Sequence, residues 1–309
     1  MGFNLGEIQE TWMKWAMRCL AFASLIFVFS KLNNTDAIMQ ISAFYYQQGI
    51  IPILLLLSAG TFLATINWLL ETLKWKFGFY GFQETGFYKL FQFNLSSFSL
   101  SYATPGRLGI YPVLSVIFKG VPKGEIWSRK FLLDLSQQIS TWIFACLGAF
   151  IISMKSGFLI EPLRCVIPIG LLVYLLLFFS QRASRFINKS LSRWINIPQG
   201  INFNLRIRIL GVSVLRYFVF SLSLLMLISF FQSSSPSIEI YSRIVIYFWV
   251  SSFIPRFFLS DLLGRQSVAL LLFPKLGTLV LTIIFLQWVF NALLPLLLGF
   301  KFSKQLKLI

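Results

Sequence analysis

Runs of about twenty apolar residues recur along this chain between residues 13 and 299, and they leave few folds open. As a helix, a run of that length crosses the ~30 Å hydrocarbon core of a bilayer. Hydrophobic residues fill 57% of the 309 positions and charged residues 12%, against roughly 25% charged in a soluble chain. The chain is therefore expected to be an all-α polytopic membrane protein. No polar stretch reaches the ~50 residues of a separate soluble domain, so residues 1–309 are expected to form one integral membrane domain.

Six runs are long and even enough to be full spans: about 13–33, 51–72, 131–153, 163–180, 209–231 and 276–299. The formal net charge is +17, and an excess of Lys and Arg marks cytoplasmic loops. Lys74 and Lys76, the group from Lys119 to Lys130, the acid-free segment 181–208 and the tail residues Lys301, Lys304 and Lys307 are expected inside. Residues 34–49 and Gln232–Pro236 carry no Lys or Arg and are expected outside. Both termini then lie in the cytoplasm and the protein sits in an inner, cytoplasmic membrane. Lys14 and Arg18 precede the first run as in a signal peptide, but no small-x-small cleavage site follows, so the segment reads as a retained helix. Arg182, Arg185, Lys189 and Arg193 share one helical face. Two readings stand for them: an amphipathic helix in the interface, or a basic loop that only sets topology. The basic residues are spread over many loops, which favours anionic lipid headgroups as partners and disfavours nucleic acid.

Histidine is absent, which removes the commonest general base and metal ligand. Cys19, Cys146 and Cys165 lie in or beside apolar runs without CxxC spacing and read as small buried hydrophobes. No Walker A sequence is present and no pair of acids is placed to hold a catalytic metal. No enzyme activity, metal or cofactor is expected.

Two stretches interrupt the apolar pattern, one in each half. The first is Thr104-Pro105-Gly106-Arg107-Leu108-Gly109, inside the run 87–118. Proline removes a backbone donor and glycine loosens a helix, and neither flanking piece comfortably spans the bilayer. A re-entrant hairpin, entering and leaving on the cytoplasmic side, fits these lengths; two ordinary helices are the alternative. The second stretch runs from Ile254-Pro255-Arg256 through Asp261 to Gly264-Arg265, inside 241–273, and would enter from outside. Two broken elements of opposite orientation, one per half, are the mark of inverted-repeat transporters.

These breaks also carry the candidate substrate-binding residues: Thr104, Gly106, Arg107, Arg256, Asp261 and Arg265, with Asp134 nearby in the third full span. Arg107 reads either as a bidentate phosphate ligand beside the free N–H groups of a half-helix or as a cation snorkelling to headgroups. Asp261 and Arg265 are four apart and can pair on a helix, either to pin a hairpin or to share a headgroup. Gln137, Gln138, Asn67 and Asn94 read mainly as hydrogen-bonding links between helices.

Asn67-Trp68, the Thr104–Gly109 hexapeptide, Ser136-Gln137-Gln138, and the stretch Ser252-Phe253-Ile254-Pro255 to Asp261-Leu262-Leu263-Gly264-Arg265 resemble the flippase-like transmembrane region of lysylphosphatidylglycerol synthases and its stand-alone bacterial relatives. The resemblance covers nearly the whole chain through short motifs. It implies a lipid flippase that moves a phospholipid or polyprenyl-phosphate-type lipid between leaflets, with Arg107, Asp261 and Arg265 along the lipid path. It also implies a separate lipid-modifying enzyme as a partner, since the chain as given has no aminoacyl-transferase domain. The family carries an acid after the arginine-x-glycine where this chain has Ile110, and the glycine before Arg265 is shifted. That departure favours a phosphate over an amine at the first break. Two other readings are a non-catalytic membrane subunit of a cell-envelope assembly, and a lipid-linked transferase using Asp134 or Asp261.

Overall fold

The computed structural model describes residues 49–82, 85–102, 104, 107–154, 161–180, 202–232, 235–254 and 258–306. The expected first span at 13–33, the loop 34–49 except Gly49, the basic segment around Arg182–Arg193 and Lys307 lie outside these residues. Every described regular element is helical, as the apolar runs require.

The helices are α1 (Ile50–Gly78), α2 (Phe87–Tyr102), α3 (Ile110–Ile117), α4 (Lys123–Ser153), α5 (Glu161–Phe179), α6 (Phe203–Gln232), α7 (Ile238–Ser251), α8 (Phe258–Leu272), α9 (Leu279–Trp288) and α10 (Leu294–Gln305). A 3₁₀ turn, Pro274–Leu276, precedes α9, and a π-helical turn, Val289–Leu293, joins α9 to α10 into one rod. Four of these rods are long and apolar enough to cross a membrane: Ile50–Gly78, Lys123–Ser153, Phe203–Gln232 and Leu279–Gln305. Each runs beyond its apolar core into a charged turn, which is why α1 continues past Leu70 to Gly78 and α4 begins at Lys123. Hydroxyls inside the greasy stretches stay satisfied by donating back one turn: Ser58 to the Leu54 carbonyl, Thr61 to Leu57 and Thr65 to Thr61. Large apolar side chains such as Leu54, Phe62, Leu147, Leu172 and Leu297 face outward, as they do on a lipid-facing surface.

The two interrupted stretches are broken in the structure as well. α2 stops at Tyr102 and α3 begins at Ile110; α7 stops at Ser251 and α8 begins at Phe258. At ~1.5 Å per residue, the 16 residues of α2 reach about 24 Å and the 14 of α7 about 21 Å, short of the bilayer core.

The order of elements repeats. A long rod, a broken pair and a second long rod begin at 50, 87, 110 and 123, and again at 203, 238, 258 and 279. The second set lies about 150 residues after the first, with α5 between them. Packing repeats too: α4 lies against α7, and α10 lies against α2. Both are close approaches at glycine. A Cβ on Gly148 would sit 2.3 Å from Val245 Cγ2, and one on Gly299 would sit 2.1 Å from the Leu95 carbonyl oxygen. Leu95 and Val245 are 150 residues apart.

The equivalent rods α1 and α6 pack together, and they do so antiparallel. The end of α1 (Trp75) and the start of α6 (Ile209) share one apolar core with the α2–α3 pair. The start of α1 (Leu56, Ala64) and the end of α6 (Leu224, Ile228) share another with α7, α8 and α9. The two cores therefore occupy opposite ends of the bundle, each built round one broken pair.

Candidate functional site

Between the two cores lies a cavity of about 560 Å³. Its walls come from the last turns of α1, the first half of α4, the middle of α6, the first half of the α9–α10 rod and both breaks. Residues 150 apart face it together: Phe98 with Phe248, Ser101 with Ser251, and Gln137 with Gln287.

The first break is held open by Thr104. Its hydroxyl donates to the Ser101 carbonyl at 2.6 Å and accepts from the Gly109 N–H at 2.9 Å. Gly109 must be small, because a Cβ there would lie 2.8 Å from the Thr104 methyl. Thr104 is thus a brace of the turn and does not line the cavity. Arg107, next along, has φ +58°, a left-handed backbone that costs a non-glycine residue about 1–2 kcal/mol. That turn sends its guanidinium back over two rings, 4.6 Å from the Phe98 centroid and 4.8 Å from that of Tyr102. The Trp288 indole donates to the Tyr102 hydroxyl at 2.9 Å and steadies it from the other half. α3 itself starts at Ile110, capped by Gly109 with no side-chain hydrogen bond.

The second break brings Asp261 to the same place. Arg265 Nε donates to Asp261 Oδ1 at 2.9 Å, and Arg107 Nη2 lies 3.6 Å from Asp261 Oδ2. One buried carboxylate is thus flanked by two arginines, one from each half. Ile254 packs on Gly264, where a Cβ would come within 2.8 Å of its side chain, so the glycine before Arg265 lets the second break fold back on α8.

Asp134 also lines the cavity, paired one turn back with Lys130. Glu125 and Arg129 form a separate pair at 3.0 Å outside the cavity lining. Gly106 and Arg256 lie outside the described residues. Asn67 donates to Asn291, and Asn94 to Thr72, both between helices.

A second cluster on the same cavity had no place among the sequence candidates. Glu71 Oε2 lies 2.7 Å from Lys74 Nζ and 2.9 Å from Arg216 Nη1. Trp75 Nε1 donates to the other Glu71 oxygen at 3.2 Å, and Arg216 Nη1 also donates to Gln137 Oε1 at 2.8 Å. Glu71 and Lys74 look in the sequence like the charged end of a span. Arg216 carried the better signal: it is the lone charge of the apolar run 209–231, and ionisable groups at membrane depth face an interior.

Among the described residues no group of three or more metal-ligating side chains is present. Comparison of the chain with models of protein families, with curated proteins and with solved structures found no match.

Proposed function

We propose that this protein is a membrane lipid flippase whose anionic headgroup site lies where the two breaks meet. The observation that carries the reading is the Arg107–Asp261–Arg265 group, assembled from both halves on one cavity. A guanidinium group there can bind two oxygens of a phosphate bidentately, and Asp261 holds both arginines in place without neutralising both. The antiparallel α1–α6 pair and the recurrence of elements about 150 residues apart support an inverted repeat in the membrane. In that arrangement the α2–α3 and α7–α8 pairs are re-entrant hairpins from opposite faces, and rocking one half against the other would open the cavity to each leaflet in turn. The chain is multi-pass, with the ends of α1, α5 and α10 on the cytoplasmic side, where the basic residues gather.

The test is headgroup accessibility of fluorescent short-chain phosphatidic acid and phosphatidylglycerol in proteoliposomes of the full chain, read by dithionite quenching. Wild type is expected to expose inner-leaflet lipid faster than empty vesicles, while Arg107→Gln, Asp261→Asn and Arg265→Gln slow it at least tenfold at equal incorporation. Wild-type vesicles that behave like empty ones would leave the non-catalytic subunit reading in its place.

A further inference from the structure

We infer that the cavity selects a headgroup bearing two negative charges, a phosphate monoester or diphosphate, over a singly charged phosphodiester. The inference rests on the anionic-headgroup reading above and sharpens it.

The described residues that line the cavity include Lys74, Lys130, Arg107, Arg216 and Arg265, against Glu71, Asp134 and Asp261. Lys130 and Asp134 neutralise each other. The other six form two groups of the same design, a carboxylate between two cations: Arg107–Asp261–Arg265 and Lys74–Glu71–Arg216. Among the described residues each group carries two cations to one carboxylate, so together they bring a net charge of two. The cations are largely enclosed, with side chains 1% exposed at Lys74, 17% at Arg265, 20% at Arg216 and 22% at Arg107, and a net charge is costly in such surroundings. A ligand that brings two negative charges removes the excess; one that brings a single charge leaves half of it. A hydrogen-bond donor also waits nearby. Trp68 lines the cavity, is 7% exposed, and its indole N–H has no acceptor among the described residues. Phosphate oxygens accept from donors of each of these kinds.

The ligand's own chemistry supplies a control. A phosphate monoester passes from one charge to two with a pKa of about 6, whereas a diester keeps one charge throughout. The experiment is calorimetric titration of the full chain in a neutral detergent with four probes: dioctanoyl phosphatidic acid, dioctanoyl phosphatidylglycerol, dioctanoyl phosphatidylcholine and inorganic phosphate. At pH 8 phosphatidic acid is expected to bind at least tenfold more tightly than phosphatidylglycerol, and the ratio is expected to fall below threefold at pH 5. Arg107→Gln and Arg216→Gln should each bring the pH 8 ratio close to one, while Arg243→Gln, a paired arginine outside the cavity lining, should leave it unchanged. Equal binding of the two anionic lipids by wild type at pH 8 would overturn the inference and leave the anionic-headgroup reading standing. So would a loss of the ratio in Arg107→Gln but not in a folded Arg216→Gln. Inorganic phosphate binding as tightly as phosphatidic acid would uphold the two-charge chemistry and sink the lipid as its source. Phosphatidylcholine binding as tightly as phosphatidic acid would remove both. The wild-type pH comparison decides the matter even where a variant does not fold.

Discussion

Arg216 and Glu71 join the two long rods that correspond to each other in the two halves, with Nη1 2.9 Å from Oε2. The pair is also the bridge from α6 to α4, because the same Nη1 reaches Gln137. Removing Glu71 leaves Lys74 and Arg216 facing each other without a counterion. Glu71→Gln is therefore expected to destabilise the protein by about 3 kcal/mol, the range for breaking a buried ion pair. Thermal unfolding in detergent checks this, and Glu71→Asp should recover part of the loss. A midpoint unchanged in Glu71→Gln would show that the pair holds nothing.

Glycine positions divide cleanly. Gly299→Ala pushes a methyl against the Leu95 carbonyl and the Ser99 hydroxyl, 2.1 and 2.0 Å away. The backbones of α2 and α10 must then separate, at a cost of about 3 kcal/mol, the upper end for overpacking. Gly211 has no atom within 4 Å of its Cβ direction, so Gly211→Ala is expected to be neutral or stabilising by less than about 1 kcal/mol. The thermal midpoint of Gly299→Ala should fall below the wild-type value, and that of Gly211→Ala should lie at or above it.

Thr104 tests the turn without touching the charges. Thr104→Val keeps the shape and removes both hydroxyl hydrogen bonds that close the first break. Loss of a hydrogen bond of this kind costs about 1 kcal/mol, and here it also frees Arg107 to leave the Phe98 and Tyr102 rings. Thr104→Ser should retain the function. Lipid exposure in proteoliposomes should fall in Thr104→Val and stay near wild type in Thr104→Ser.

Sidedness can be read with single cysteines in a background lacking Cys19, Cys146 and Cys165. Thr85→Cys and Gly120→Cys bracket the α2–α3 pair, and Ser235→Cys and Lys275→Cys bracket α7–α8. An impermeant thiol reagent is expected to label the first two from one face and the last two from the other. Labelling of all four from one face would remove the inverted arrangement.

Much of the fold was legible because lipid enforces simple rules. Long apolar runs became long helices, and Pro105-Gly106 and Pro255 marked both breaks, since a chain in lipid leaves helical geometry only under strong local compulsion. Side-chain rules also exposed Arg107, Asp261 and Arg265, charges set where charge is costly. Glu71 and Lys74 escaped because they look like the wet end of a span; only the continuation of α1 to Gly78 places them over the cavity. Arg216 escaped because its partners come from two other helices, 145 positions away at Glu71 and 79 at Gln137, and no local spacing announces such a pair. Thr104 was legible as part of the break but not as its brace, since the hydrogen bond to Gly109 depends on the turn being made.

The π-helical turn at Val289–Leu293 has a meaning in the register of the two halves. Before it, cavity residues match at an interval of 150, as Gln137 does with Gln287. After it, the glycines that seat the facing helices match at 151, Gly148 with Gly299. A π turn accommodates one residue more than an α turn over the same rise. The last rod thus carries a single extra residue that its counterpart α4 lacks, and the backbone takes up the surplus as a local widening. That widening keeps Gln287 turned to the interior and Gly299 turned to Leu95, two orientations that an unbroken α-helix of this sequence would set about 100° out of step.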